Sequence, residues 1–220
     1  MIKSQNILTE VKSKELLMKA GIPVVEAKLA RSKKEAISIS KEMGFPVVLK
    51  INSPDVVHKS DSGGVKLRLA NATQVGKAYS EIISSIRQAY PEADIQGISV
   101  QPMALPGVEV IIGMSTDPQF GPVIMFGLGG ILVEVLKDVS FRIVPVTARD
   151  AREMIKEIKG YPILEGYRGQ KPASVPALEK LIVQVSQFVE KNPHIKELDL
   201  NPIFAYPDKA VAVDARIILK

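Results

Sequence analysis

Residues 46–67 read PVVLKINSPDVVHKSDSGGVKL. An apolar run ends in Lys50, a polar loop carries His58 and the pair Gly63-Gly64, and a second apolar run opens at Val65. The spacing predicts a strand, a loop and a strand. A lone cation among β-prone apolar residues needs a counter-charge in place of the water it loses, and a phosphate would serve. Two adjacent glycines offer backbone N–H groups with no side chain to hold a phosphate away. An imidazole in the same loop can carry a proton or accept a phosphoryl group. Each feature also has a plainer reading: Gly-Gly as a hairpin turn, the histidine as a solvated loop residue, the lysine as a strand-edge charge. The rest of the chain decides between them.

Working outward toward the N-terminus, residues 8–20 place Leu8, Val11, Leu16, Leu17 and Ala20 near helical spacing, with Thr9 as a cap and Gly21-Ile22-Pro23 as the stop. A strand over 24–30 follows, then a helix opened by Ser32 and closed by Gly44. Beyond the opening stretch, Asn71 introduces a helix to Ala89 whose Val75, Ala78, Tyr79, Ile82, Ile83 and Ile86 share one face. This predicts an N-terminal helix over 1–20 and a small α+β lobe over 21–94.

A second lobe is expected over 95–220. Strands read from Ile95, over 108–115 with Glu109 at the start, and over 123–126; residues 132–144 continue strand-like to Pro145, and an antiparallel meander is the economical arrangement. Thr147 caps a helix to Lys159 that Gly160-Tyr-Pro162 ends, 166–169 is a loop, and Ser174 opens a helix to Lys191. Glu134, Asp138 and Arg142 read as a solvated strand face, and 127–130 as either a turn or a phosphate loop. Arg168 suits contact with a phosphate or with a partner surface.

At 220 residues and 46% hydrophobic content the chain can bury substantial cores. A net charge of +5 is spread among 24 acidic residues, with no basic block and only 5% aromatic residues, so nucleic-acid binding is not expected. The absence of cysteine excludes disulfides, thiolate metal sites and a cysteine nucleophile. No signal-like segment or long apolar run stands out, which makes a cytoplasmic protein without membrane contact the expectation.

Near the C-terminus, Glu197, Asp199 and Asn201 alternate with Leu198 and Leu200, so a strand would send the polar three to one face. After a turn at Pro207-Asp208, the apolar run 210–213 delivers Asp214, and a hairpin would bring it alongside Asn201. Carboxylate and amide oxygens, completed by water and phosphate, form the hard environment that Mg²⁺ accepts; the same residues also read as the solvated ends of an ordinary hairpin.

Lys50 before a Gly loop, Glu109 after a hinge strand, and Asn201 with Asp214 occur in the order characteristic of the ATP-grasp fold, an α+β architecture in which two lobes grip a nucleotide. Within it the chain resembles the β subunit of the ADP-forming acyl-CoA synthetases, relatives of succinyl-CoA synthetase. The resemblance runs over nearly the full length and is carried by 52–61 (NSPDVVHKSD), 126–138 (FGLGGILVEVLKD) and 198–202 (LDLNP). It implies the reaction acyl-CoA + ADP + phosphate ⇌ carboxylic acid + CoA + ATP, with ATP/ADP and Mg²⁺ as cofactors. It also implies an α subunit, in an α₂β₂ assembly, that handles acyl-CoA and phosphate and carries its own phosphohistidine. No G-x-G-x-x-G fingerprint for a CoA-binding domain is present in this chain.

By that resemblance His58 relays phosphate between the α-subunit histidine and ADP, and Asp199 orients its imidazole. Lys50 neutralises phosphates, while Gly63, Gly64 and Val65 cover them. Gln101 to Met103 supply the adenine-reading hinge backbone, Glu109 binds ribose, and Asn201 and Asp214 hold the metal. Two other functions fit the same residues: a stand-alone ATP-grasp ligase acting through an acyl phosphate, and a nucleotide-sensing subunit without chemistry.

Overall fold

In the computed structural model, residues 6–56, 59–130, 137–167, 169 and 171–220 are described. The chain divides into two compact units, one of Met1–Lys14 with Val25–Leu105 and one of Glu15–Val24 with Pro106–Lys220.

Unit 1 contains β1 (Ile7–Leu8), the first half of α1 (Glu10–Lys19), β2 (Lys28–Ala30), α2 (Lys33–Met43), β3 (Val47–Asn52), β4 (Val65–Leu69), α3 (Ala72–Ala89) and β5 (Gly97–Pro102). Four strands form an antiparallel sheet in the order β2-β5-β3-β4. Ser32 accepts a hydrogen bond from the Glu35 N–H at the start of α2, and Gly44 ends that helix at φ 83°, a conformation that costs a side chain-bearing residue more than glycine. Asn71 caps α3 in the same way by accepting from the Gln74 N–H. Alternation along β3 sends Val47, Leu49 and Ile51 to one face, where Val75, Ala78, Ile82 and Ile86 of α3 complete a buried core, with Tyr79 and Ile83 at its margin.

The boundary differs from the one expected at residue 95. β5 lies within unit 1, between β2 and β3, because Val48, Lys50 and Asn52 pair with Gln101, Ser99 and Gly97. Local periodicity identifies a strand but not the strand it pairs with.

Unit 2 is built on an antiparallel sheet containing β11 (Arg216–Leu219), β9 (Ile195–Ala205), β6 (Val108–Asp117), β7 (Gly121–Leu128) and β8 (Val139–Ile143) in that order, with β10 (Ala210–Ala212) also on β9. The helices α4 (Ala148–Glu157), α5 (Tyr161–Leu164) and α6 (Val175–Lys191) belong to the same unit. Thr147 and Asp150 form a reciprocal capping box on α4.

That helix stops at Glu157 rather than Lys159, and Pro162 sits in the first turn of α5. The Asp138 carboxylate explains the early stop: it accepts the N–H groups of Lys159 and Gly160 at 2.8 and 2.7 Å, taking the place of helical carbonyls. Asp138 therefore closes a loop rather than lining a solvated strand face. Arg142 pairs with Glu157 on α4 at 2.8 Å. Glu134 and Arg168 lie outside the described residues.

Candidate functional site

The site residues read from the sequence fall on both units. In unit 1, Lys50 is the fourth residue of β3 and faces away from the apolar core, on the side that also carries Asn52, Ser99 and Gln101. It is buried and does not wait for a phosphate to supply its counter-charge. Its ammonium donates to Glu10 Oε1 at 2.8 Å. Lys14 reaches the same oxygen at 2.9 Å, and Lys59 reaches Oε2 at 2.8 Å. Lys14 also donates to the Gln101 side-chain oxygen at 2.6 Å.

Three ammonium groups thus converge on one carboxylate, whose side chain is 1% exposed. Burial alone would raise the Glu10 pKa, but Lys50, Lys59 and Lys14 together outweigh it and hold the carboxyl well below the usual range. Two residues beyond Lys50, the Asn52 side-chain amide is 2% exposed and has no hydrogen-bond partner among the described residues. A buried amide left unsatisfied is costly, and it adds both a donor and an acceptor to this face.

The glycine pair serves the loop itself. Gly63 takes φ 71° and its N–H donates to the Ser60 carbonyl at 3.2 Å, while the Gly64 N–H donates to the Lys59 carbonyl at 2.7 Å. A Cβ on Gly64 would lie 2.7 Å from Ile51 Cγ2 and 2.8 Å from the Lys59 oxygen. These glycines make a tight turn whose N–H groups are committed inside the loop, as the plainer reading of Gly-Gly has it. Val65 follows as the first residue of β4 and pairs with Lys50. Val57 and His58 lie outside the described residues. The Gln101 side chain is engaged by Lys14, and the Met103 N–H donates to the Pro46 carbonyl at 3.0 Å.

In unit 2, Glu109 is exposed at the start of β6 opposite Phe204, and its carbonyl accepts the Gly129 N–H at 2.7 Å. A Cβ on Gly129 would stand 3.0 Å from Glu109 Cβ and 3.2 Å from its carbonyl carbon, so a side chain there would push the two segments apart by a few tenths of an ångström.

Leu198 and Leu200 of β9 are buried, whereas Glu197 and Asp199 are half-buried and Asn201 is exposed. β10 and β11 pair with β9 in one continuous register, Ala212 opposite Ile203 and Arg216 opposite Asp199, so they are a single strand interrupted at 213–215. Extending either ladder sets Asp214 opposite Asn201. On the other edge of β9 the ladder to β6 slips between Ile203 and Leu200, which places Asn201 and Pro202 in a bulge. Across the 213–215 gap the Val213 N–H still donates to the Pro202 carbonyl at 2.8 Å, and one oxygen of the Asp214 carboxylate accepts the Ala215 N–H at 2.8 Å.

Burial raises the Asp199 pKa; Arg216 opposes that shift and Asp214 adds to it. Gly113, Met125, Phe141, Asp199 and Arg216 line a shallow cavity of about 250 Å³ beside them.

Sequence reasoning missed Glu10, Lys14, Lys59 and Arg216. Glu10 and Lys14 are spaced i, i+4, the pattern of an ordinary exposed helix pair. Leu16 was expected on the apolar face and is instead 39% exposed, while Lys14 is fully buried. A phase error of this size is enough to hide a buried ion cluster.

The chain belongs to the ATP-grasp domain family, whose model matches residues 1–219. Its relatives are more particular. It is 54% identical over 212 residues to the beta subunit of ADP-forming acetate-CoA ligase I from Pyrococcus furiosus, a match covering 96% of this chain and 91% of that protein. It superposes with a TM-score of 0.96 and 50% identity on acetyl-coenzyme A synthetase 1 of Ca. Korarchaeum cryptofilum, solved with coenzyme A, Ca-AMPCP and HgCl+, covering 98% of this chain and 94% of that one. A second structure of that synthetase holds coenzyme A and Mg-AMPPCP, with its phosphohistidine segment pointing towards the nucleotide binding site; the TM-score is 0.86 at 47% identity, covering 98% of this chain and 93% of that one. The ATP-grasp expectation is borne out.

Proposed function

We propose that this chain is the nucleotide-binding β subunit of an ADP-forming acyl-CoA synthetase, catalysing with an α subunit the reaction acyl-CoA + ADP + phosphate ⇌ carboxylic acid + CoA + ATP. The observation that carries this reading is the near full-length likeness, in sequence and in fold, to a synthetase subunit and to a synthetase that holds nucleotide analogues.

In the synthesis direction a phosphoryl group leaves a histidine of the α subunit and its P–N bond re-forms on His58. A β-phosphate oxygen of ADP then displaces the imidazole, making the P–O bond of ATP. Such a transfer asks a protein mainly for positioning and for neutralisation of charge. Lys50 faces the phosphates for that purpose, with Lys59 a second cation beside it. Glu109 binds ribose, the backbone of 101–103 reads the base, and Asp199 orients the imidazole of His58.

The oxygen set at Asn201 and Asp214 fits Mg²⁺. That ion takes one or two carboxylates and completes its octahedron with water and phosphate, so a cluster of three acidic or imidazole ligands is not needed, and none occurs among the described residues. Once bound, Mg²⁺ supplies positive charge to the phosphates. No helix among the described residues is long and apolar enough to cross a membrane.

The test is intact-mass and acid-labile phosphate analysis after mixing the chain with Mg-ATP, alone and with its α partner. One labile phosphate that disappears in His58→Ala supports the relay. Unphosphorylated protein in the presence of partner and acyl-CoA, with nucleotide still bound, would remove it and leave a sensing subunit.

A further inference from the structure

Glu10 takes no part in the transfer described above, yet it is among the most enclosed charged groups of unit 1. It is 40 residues from Lys50 and 49 from Lys59 in sequence, and it bonds to both. One oxygen serves Lys50 and Lys14 and the other serves Lys59, so the carboxylate separates the cations that face the proposed phosphate position. Lys14, itself fixed by Gln101, braces the carboxylate from its own helix.

We infer that Glu10 is a positioning residue for phosphate binding: it fixes the ammonium groups of Lys50 and Lys59 in place before nucleotide arrives and keeps that of Lys50 charged. The inference rests on the reading that Lys50 neutralises nucleotide phosphates.

Two physical effects support it. A lysine side chain has four rotatable bonds, and a cation fixed in advance does not lose that freedom when ligand binds. Two ammonium groups on one oxygen also stand within two hydrogen-bond lengths of each other. Without the carboxylate, burial and mutual repulsion would both favour loss of a proton. Lys14 from α1, Lys50 from β3 and Lys59 from the following loop are the charged groups acting on Glu10 among the described residues.

The test is ADP binding by calorimetry on the full chain near pH 7 and near pH 9 for wild type, Glu10→Gln, Glu10→Asp and Lys50→Met, with thermal unfolding to establish that each is folded. Wild type should bind alike at both pH values. Glu10→Gln should bind about tenfold more weakly at the higher pH than at the lower, as expected if a lysine pKa falls by about two to two and a half units from its ordinary value. Glu10→Asp, which keeps the charge, should restore the flat pH response at severalfold lower affinity.

Equal weakening of Glu10→Gln at both pH values, without recovery in Glu10→Asp, would reduce Glu10 to packing and overturn the inference. So would unchanged binding. Should Glu10→Gln fail to fold, Glu10→Asp carries the test, and wild-type affinity in that variant overturns it. Lys50→Met separates the premises: if it binds ADP as well as wild type, the reading of Lys50 itself fails. If it loses binding while Glu10→Gln responds to pH like wild type, only the role of Glu10 falls.

Discussion

The cations of unit 1 and the oxygen-bearing side chains of unit 2 are held in different ways. Lys14, Lys50 and Lys59 are gathered on a carboxylate that the protein itself supplies and buries. Asn201 and Asp214 sit where strand pairing is interrupted, and burial makes the charge on the neighbouring Asp199 harder to keep. The first arrangement sets three cations on one buried carboxylate; the second sets two carboxylates, Asp199 and Asp214, near one guanidinium.

Removing the carboxylate of unit 1 should have the largest effect. Glu10→Ala leaves clustered buried cations without the acceptor they share, and it should cost about 3–5 kcal/mol in denaturant unfolding. A loss below about 1 kcal/mol would mean that the cluster is far more solvated than its burial indicates.

Next in size, Ile82→Ala should cost about 2–4 kcal/mol by opening a cavity in the unit 1 core, with little change in the pH dependence of stability. Comparable pH sensitivity in this variant and in Glu10→Ala would erase the distinction between packing and charge.

In unit 2, Asp214→Asn should weaken Mg-ADP binding by about tenfold, the effect of roughly 1.4 kcal/mol, while ADP alone binds nearly as before. An equal loss with and without Mg²⁺ would take Asp214 out of the proposed metal site. Smallest of all, Asp199→Asn should raise the unfolding midpoint slightly while lowering turnover, since the fold disfavours the ionised form. A marked fall in the midpoint would show that the Arg216 pairing outweighs the cost of burial.

The two carboxylates also predict opposite responses to pH. Glu10 has a depressed pKa in the folded state, so its contribution is complete above the unfolded value of about 4.3 and is lost as pH falls through the lower folded value. Asp199 has a raised pKa, so its cost is absent in acid and grows as pH rises from its unfolded value of about 3.9 through the higher folded one. Unfolding curves of wild type, Glu10→Gln and Asp199→Asn across the acid range would separate the two contributions.

Much of this was legible in the sequence. The helix starts at Ser32, Asn71, Thr147 and Ser174 were readable because a cap is a local event between residues three apart. The alternation of Leu198 and Leu200 with Glu197, Asp199 and Asn201 was readable for the same reason. What escaped depends on partners distant in the chain. β5 joins unit 1 through its pairing with β3, Glu10 finds Lys50 and Lys59, and the Asp138 carboxylate shortens α4 from 21 residues away. No window of periodicity contains such pairs. The Gly63-Gly64 turn was ambiguous in another sense, because unobstructed N–H groups can serve a ligand or the loop itself, and only the geometry shows them donating to Ser60 and Lys59.

The interrupted strand of unit 2 has a consequence for how the protein can vary. Residues 213–215 span the gap without changing phase, so that Arg216 returns opposite Asp199 and Ile217 and Ile218 return to buried positions. Substitution within those three residues preserves that phase, whereas inserting or deleting one residue would send every later side chain of β11 to the wrong side of the sheet. For folding, this short stretch should therefore tolerate changes of residue identity far better than changes of length, while the proposed metal role sets its own demand on Asp214.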